Sequence, residues 1–424
     1  MHNSIAINER PFWAFFLCRK ELTHILNLSR NGFTHTQIVA ALHAANRKIA
    51  FRYELLDKDN RRKRDLTNVI SGEVSLSSLA QIKRTAKFSM TETADIDFLN
   101  DRIKPYMRLW IPKGRVLARY YAFFSHIQPL EREVLKTSNQ EGWVEFPLGV
   151  FLLSSPTRKD ETGSVIREVD AYDGLLVLRD DKFLDRYAIP EGTSYYEAIV
   201  SILASSGITA YNIEFSDRLL PRAIEFEPGK EKLFAVNELL AQINYTPVHV
   251  DTDGYYVSQQ YSSPAVRAAD YVYSDDALSV TFKGAEEELD LFSVPNTWTV
   301  IRSNEEQGAL VSNFVNDNPN NPTSTVSRGR TIVDYREIED IADQAALDAY
   351  VERIAFSASQ VYGRIRFNTA LMPFHDYANV LELNYSPLGI SGKYAELNWT
   401  MQLQVGGVMQ HEVRKIVDLG GTPA

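Results

Sequence analysis

Along most of the chain apolar side chains recur at every second position, the period of β-strands rather than of helices. Ile49-Ala50-Phe51-Arg52-Tyr53-Glu54-Leu55-Leu56 reads as a strand that runs into a charged tip, Asp57 to Arg64, and returns through Val69, Ile70, Val74 and Leu76. Further strands are predicted at Ile82 to Met90, Met107 to Pro112 and Val116 to Phe124. Between Trp143 and Leu178 lie two more, WVEFPLGVFLLSSPTR and GSVIREVDAYDGLLVL, joined by Lys159-Asp160-Glu161-Thr162-Gly163, a turn ending in the glycine that hairpin loops favour. In the second, Val165, Arg167, Val169, Ala171 and Asp173 share one face and Ile166, Glu168, Asp170 and Tyr172 the other. Neither face is wholly apolar, so both need partners: a barrel wall, a subunit contact or a water-filled lumen. Together these strands predict a six- or seven-stranded antiparallel barrel or sandwich.

The period changes after Leu178. Ser194-Tyr195-Tyr196-Glu197 has the form of a capping box, and Ile199, Val200, Ile202 and Leu203 make a buried helical stripe that Gly207 ends. A second helix carries Leu233, Val236, Leu239, Leu240 and Ile243, and a hairpin follows through Pro247 to Val257 with an Asp253-Gly254 turn. Strands return at Ala277 to Phe282, Glu288 to Phe292 and Thr297 to Arg302. The turn-rich run Asn316 to Thr325 reads as a loop leading to a strand through Ile332 and Val333. A helix over Gln344 to Gln360 buries Leu347, Val351, Ile354, Ala355 and Ala358, and the strands Arg364 to Thr369, Asn379 to Asn384, Tyr394 to Gln404 and Val408 to Asp418 close the chain. In the third of these Leu397, Trp399, Met401 and Leu403 alternate with Asn398, Thr400, Gln402 and Gln404, a half-exposed strand.

At the other end, Pro11 to Cys18 is strongly apolar but too short to cross a bilayer, and Glu9, Arg19, Lys20 and Glu21 bound it. The stretch to Asn46 is read as an amphipathic arm of one or two helices, with Ile38, Val39, Leu42 and Ala45 on one stripe. Phe12, Trp13, Phe15 and Phe16 would leave a large apolar patch on a monomer, so the arm is expected to dock on a neighbouring chain.

A length of 424 residues implies more than one core. With one cysteine, Cys18, no internal disulfide can form. A formal net charge of −10 and a pI near 5.4 argue against a general nucleic-acid binder. Arg61 to Arg64 are diluted by nearby aspartates and carry no interleaved aromatic, so they read as a solvated hairpin tip. No metalloprotease, phosphate-loop, nucleophile-elbow or paired-cysteine motif is present, and the eight histidines show no metal-ligand spacing. Asp251, Asp253 and Gly254 lack the other positions of a calcium loop, and the acidic runs Asp275-Asp276 and Glu286-Glu287-Glu288 read as solvated turns rather than a glycosidase pair. No catalytic, cofactor-binding or metal residue is therefore assigned, and the chain is read as not an enzyme.

A resemblance organises these elements. Gly149, Val150, Phe151 and Leu153, followed by Val169, Ala171, Tyr172, Asp173, Leu175, Leu176 and Leu178, resemble the first barrel of phage baseplate and tail hub proteins, the Mu-type hub subunits and N-terminal hub modules of tail-associated proteins of long-tailed phages. Ser78 to Phe88 and Asp101 to Met107 keep the family's order, and Asn318-Pro319 through Ser324 followed by Gly329-Arg330 and Ile332-Val333 is similar to a run in the second barrel. The resemblance implies a mainly β protein with an α+β insert: an N-terminal helical docking arm (1–46), a first tail-tube-like antiparallel β-barrel (47–181), a small α/β domain (182–262) and a second tube-like barrel with one helix (263–424). It implies a structural hub of a tail tip or baseplate, a homotrimer adapting a sixfold tube to a threefold tip and lining part of the genome-ejection channel. The implied partners are a distal tail or tube protein above, a tip, fibre or spike protein below, and tape-measure protein in the lumen. DNA would pass without specific binding, there would be no stable membrane insertion, and the location would be the virion after assembly in the host cytoplasm. The alternative is a tail-tip protein that binds or degrades host-surface carbohydrate. On the hub reading the acidic balance predicts an acidic or polar channel wall, with Arg61 to Arg64 directed away from it.

Overall fold

Alternating burial along nearly every predicted strand generates the architecture. The computed structural model describes residues 26–416 apart from 45, 93–94, 114–139, 155, 162, 277–278, 290–293, 304–308, 339–340 and 360–362. The apolar run 11–18 and the strand read at 116–124 thus lie outside the described residues. The first half of the chain forms β1 (Ile49–Leu56), β2 (Arg62–Leu66), β3 (Val69–Ser77), β4 (Arg84–Thr91) and β5 (Arg102–Ile111). In β5 the alternation is complete: Ile103, Pro105, Met107, Leu109 and Ile111 are buried and the residues between them half-exposed.

The stretch from Trp143 to Arg158, which reads as one strand, is broken into β6 (Gly142–Pro147), β7 (Phe151–Leu153) and β8 (Thr157–Glu161). The first break falls at Gly149, whose φ of +136° and whose closeness to Arg84 and Phe151, 2.7 Å from where a Cβ would stand, require glycine. Strand β9 (Ser164–Tyr172) then pairs with β8, β7 and β4. Before β1, a short helix α1 (His35–Leu42) begins with a full capping box between Thr34 and Gln37, and it buries Ile38 and Leu42 against the β core of its own chain.

Helix α2 (Leu175–Asp180) opens a module that continues through β10 (Tyr187–Ile189), α3 (Tyr195–Ser205), β11 (Tyr211–Ile213), β12 (Ile224–Phe226), α4 (Lys232–Gln242), β13 (His249–Val250) and β14 (Tyr256–Ser258). Its core joins Leu175 and Leu178 of α2 to Ile199, Ile202, Val236 and Leu240, so this core begins inside the segment read as the first barrel. Ser194 does stand at the N-cap of α3, but its side chain makes no capping bond; its backbone instead bridges to Leu219.

The last third begins with β15 (Tyr271–Ser274) and β16 (Glu286–Leu289) and ends with β20 (Gly363–Ala370), β21 (Val380–Tyr385), β22 (Ile390–Gln402) and β23 (Val408–Lys415). Between them β17 (Thr297–Arg302), β18 (Leu310–Val315), α5 (Thr325–Arg328), β19 (Val333–Ile338) and α6 (Gln344–Ser359) form a unit with a core of its own, built on Trp298, Val300, Leu347 and Val351. The turn-rich run at its centre is packed: Asn316, Asn321, Thr323 and Ser324 are buried, and Ser324 caps α5.

One sheet runs through both halves in the order β16-β20-β23-β22-β3-β4-β9-β7-β5-β1-β2. The expected class, mainly antiparallel β with an α/β insert, is what the chain adopts, but its two β-regions are not separate closed barrels. Among the described residues no ladder closes either half on itself, and a single apolar cluster spans both. The cause is β22, whose residues 390–395 pair with β21 while residues 398–402 pair with β3, across a register shift between Glu396 and Asn398. No helix among the described residues is long and apolar enough to cross a membrane.

Candidate functional site

One face of the long sheet is core, and the other forms a continuous polar surface across both halves. Six strands present polar side chains on one face in register. One row runs Asn368, Gln410, Thr400, Ser75, Thr85 and Tyr172. A second joins Gln402, Glu73, Lys87 and Asp170, and a third joins Arg366, Glu412, Asn398 and Ser77. The opposite face of the same strands carries Val74, Leu76, Phe88, Val169, Phe367, Trp399, Met401, Met409 and Val413, all buried. Where the halves meet, the hydroxyls of Ser75 and Thr400 hydrogen-bond at 2.9 Å. Each half is hollowed on this face, by about 400 Å³ over Arg366, Asn368, Asn398 and Gln410 and about 600 Å³ over Glu73, Lys87, Glu168 and Asp170. The charges are mixed: Glu73, Glu168, Asp170 and Glu412, with Glu286 and Glu288 of the adjoining β16, stand with Lys87, Arg364, Arg366 and Arg414, and Arg364 and Arg366 both pair with Glu412.

What holds the two halves at a fixed angle is a buried junction around Arg84. Its guanidinium donates to the Leu148 carbonyl and pairs with Asp376, and it lies over the Trp399 ring. Its backbone N–H donates to Asp173 Oδ2 at 2.7 Å, while Oδ1 of that carboxylate takes the Leu175 N–H at 2.9 Å. Asp173 therefore fastens β4 to the start of α2. Burial drives its carboxyl up to about 6, against the pull of these N–H groups and of Arg84 and Lys83. Burial likewise brings the neighbouring Lys83 down to about 8. Tyr377, beside Asp376, stacks on His249 of β13, so the turn at 371–379 touches all three parts of the chain.

Below this turn lies a wholly enclosed polar cluster. Glu396 Oε2 is 2.7 Å from His375 Nδ1, and its Oε1 is 2.7 Å from His411 Nδ1. The outer nitrogen of His375 meets the Tyr273 hydroxyl at 2.6 Å and that of His411 meets Thr369 Oγ1 at 2.9 Å. Burial opposes the ionised Glu396, but the two imidazoles outweigh it and its carboxyl titrates below the ordinary range. Spacing along the chain does not reveal this cluster. The readable sign was phase: His411 occupies a core position of β23, between Met409 and Val413.

The residues weighed from sequence fall elsewhere. Arg61 pairs with Asp59, Arg62 with Glu54 and Asp65, Lys63 with the buried Asp101 and Arg64 with Asp95, at the strand farthest from the β22–β3 seam on that side. Asp251 Oδ1 accepts from the N–H groups of Asp253 and Tyr255, a turn without a calcium cage. Asp275 holds Ser386, and Glu288 faces Arg364 and Arg366.

No family model matches the chain, and no curated protein matches it. Solved structures do. A tail protein from Neisseria meningitidis superposes with a TM-score of 0.57 at 12% identity, covering 87% of this chain and 97% of that one. The 43 kDa tail protein of prophage MuSo2 from Shewanella oneidensis gives 0.55 at 9% identity, over 86% and 98%. A prophage tail protein from Listeria monocytogenes gives 0.51 at 10%, over 86% and 94%. The chain thus has the fold of these tail proteins, two of them from prophages, across nearly the full length of each of the three.

Proposed function

We propose that the chain is a structural hub subunit of a phage tail tip or baseplate, resident in the virion, that assembles as a homotrimer and adapts a sixfold tail tube to a threefold tip. The observation that carries this is the register-matched polar face that crosses the β22–β3 seam without interruption. A wall of hydroxyls, amides and charges of both signs is wetted and has no basic field to trap phosphate, so it suits a channel through which tape-measure protein and then DNA pass. Two hollowed sheet halves per subunit give six wall segments in a trimer, which is what a sixfold-to-threefold adaptor needs. The tube protein then sits above, and a tip, fibre or spike protein below. The role is structural rather than catalytic.

Mass photometry of the purified chain, alone and with its tail-tube protein, tests the assembly. A species of three times 48.1 kDa supports the reading. A chain that stays monomeric in both conditions overturns it, as does a cryo-EM map of the particle in which the polar face points outward.

A further inference from the structure

The enclosed cluster at Glu396 has no part in the assembly role, and it gathers side chains of the kind that ligate metals. Glu396 Oε1 stands 2.7 Å from His411 Nδ1 and Oε2 stands 2.7 Å from His375 Nδ1. The single hydrogen of the Thr369 hydroxyl can go to the Ala370 carbonyl, 2.8 Å away, or to His411 Nε2, 2.9 Å away. In either case both Nδ1 atoms are turned toward the carboxylate. The two imidazole nitrogens and the carboxylate lie within 4.8 Å of one another, the reach of a single coordination sphere. Two imidazoles and a carboxylate are a donor set of the zinc class. Ligating histidines are usually oriented by a partner on the other ring nitrogen, and here Tyr273 and Thr369 hold those positions.

We propose that His375, Glu396 and His411 bind one divalent transition-metal ion of the zinc class, through both Nδ1 atoms and the Glu396 carboxylate. Each carboxylate oxygen already faces one imidazole, so the cluster offers two nitrogen and two oxygen donor atoms to an ion. The side chains are at most 1% exposed, which leaves no open position for substrate. The ion cross-links the 371–379 turn to β22 and β23. Because Asp376 and Tyr377 follow directly, it also braces the turn that Arg84 and His249 hold from the other two parts of the chain.

The test uses the full chain, purified without chelator from zinc-supplemented medium. Elemental analysis is expected to give close to one metal per chain. After stripping, a cobalt(II) titration is expected to develop visible absorption with a one-to-one endpoint, and the melting temperature is expected to rise as metal is restored. Thr369→Val, which leaves the three ligands in place, is expected to weaken cobalt binding on the order of 10–100-fold. Glu396→Gln should abolish the absorption, but the wild-type titration stands even if that variant fails to fold. A stripped, folded wild-type chain that gives no cobalt absorption and no shift in melting overturns the proposal.

Discussion

Arg84 has 1% of its surface exposed, yet it touches the Leu148 carbonyl, Asp376 and the Trp399 ring, one group from each element that must meet at the junction. Replacing it by Met keeps much of the volume and removes the charge. Because Asp376 is 37% exposed and can be rehydrated, we expect a loss of about 2–3 kcal/mol, at the lower end for a broken buried pair, read from urea unfolding. Asp173 makes a different prediction. Its folded carboxyl titrates near 6 against 3.8 ordinarily, because burial disfavours the charge. Between those values the folded chain binds more protons than the unfolded one, so this group's contribution falls as pH rises through the window, and the full cost of the buried charge stands above pH 6. Going from pH 7 to pH 5 should favour wild type over Asp173→Asn by about 1 kcal/mol; an unchanged difference between the two unfolding curves would refute it. The sequence marked Asp173 as part of a pattern. It could not say that the partner was Arg84, 89 residues away, because nothing local links the two positions.

At the scale of elements, what was legible was whatever local physics dictates. The periods of β1, β4, β5, β17, β20 and β22 are visible because one face of each strand is core, and α3, α4 and α6 are visible from their buried stripes. Boundaries failed where tertiary contacts override pattern. The break at Gly149 exists because Arg84 occupies the space beside it, and Ser194 left its capping role because its backbone bridges to Leu219. The run Asn316 to Thr325 reads as a turn-rich loop from composition, but Asn296 fixes its end: its side-chain amide donates to the Thr323 and Arg330 carbonyls, and its oxygen accepts from the Ile332 N–H. Asn296→Ala would remove the side-chain partner of three backbone groups, one of them, the Thr323 carbonyl, in a buried residue. We expect a cost of roughly 2–3 kcal/mol and new protease cleavage between residues 316 and 330; resistance equal to wild type would show that the loop is held by something else. Helix α1 offers a smaller test, in which Thr34→Ala should cost about 1 kcal/mol by deleting the acceptor for the Gln37 N–H.

At the scale of the whole molecule, the continuity of the sheet was the least legible feature. The seam pairs Asn398 to Gln402 with Glu73 to Ser77, more than 300 residues apart, and neither strand announces its partner. The alternation along β22 did announce a polar face. That is why a wetted surface could be expected from the sequence while its extent across two halves could not. The hub reading turns this face into the wall of a channel, and the wall's charge is the property that can be changed without touching the core. Ser75, Thr400 and Gln410 lie in one row near the seam, and their side chains point away from Leu76, Trp399 and Met409. Lysine at all three positions should leave the fold and trimer unchanged while adding three positive charges to a wall of mixed sign. The wild-type trimer is expected to ignore single-stranded and double-stranded DNA at moderate salt. The triple variant should retain single-stranded DNA in a strongly salt-dependent way, since each added phosphate contact steepens the loss of affinity with salt. Fluorescence anisotropy across a salt series reads this directly. If the variant trimer binds DNA no better than wild type, the row does not face the path that DNA takes, and the channel must be lined by another surface.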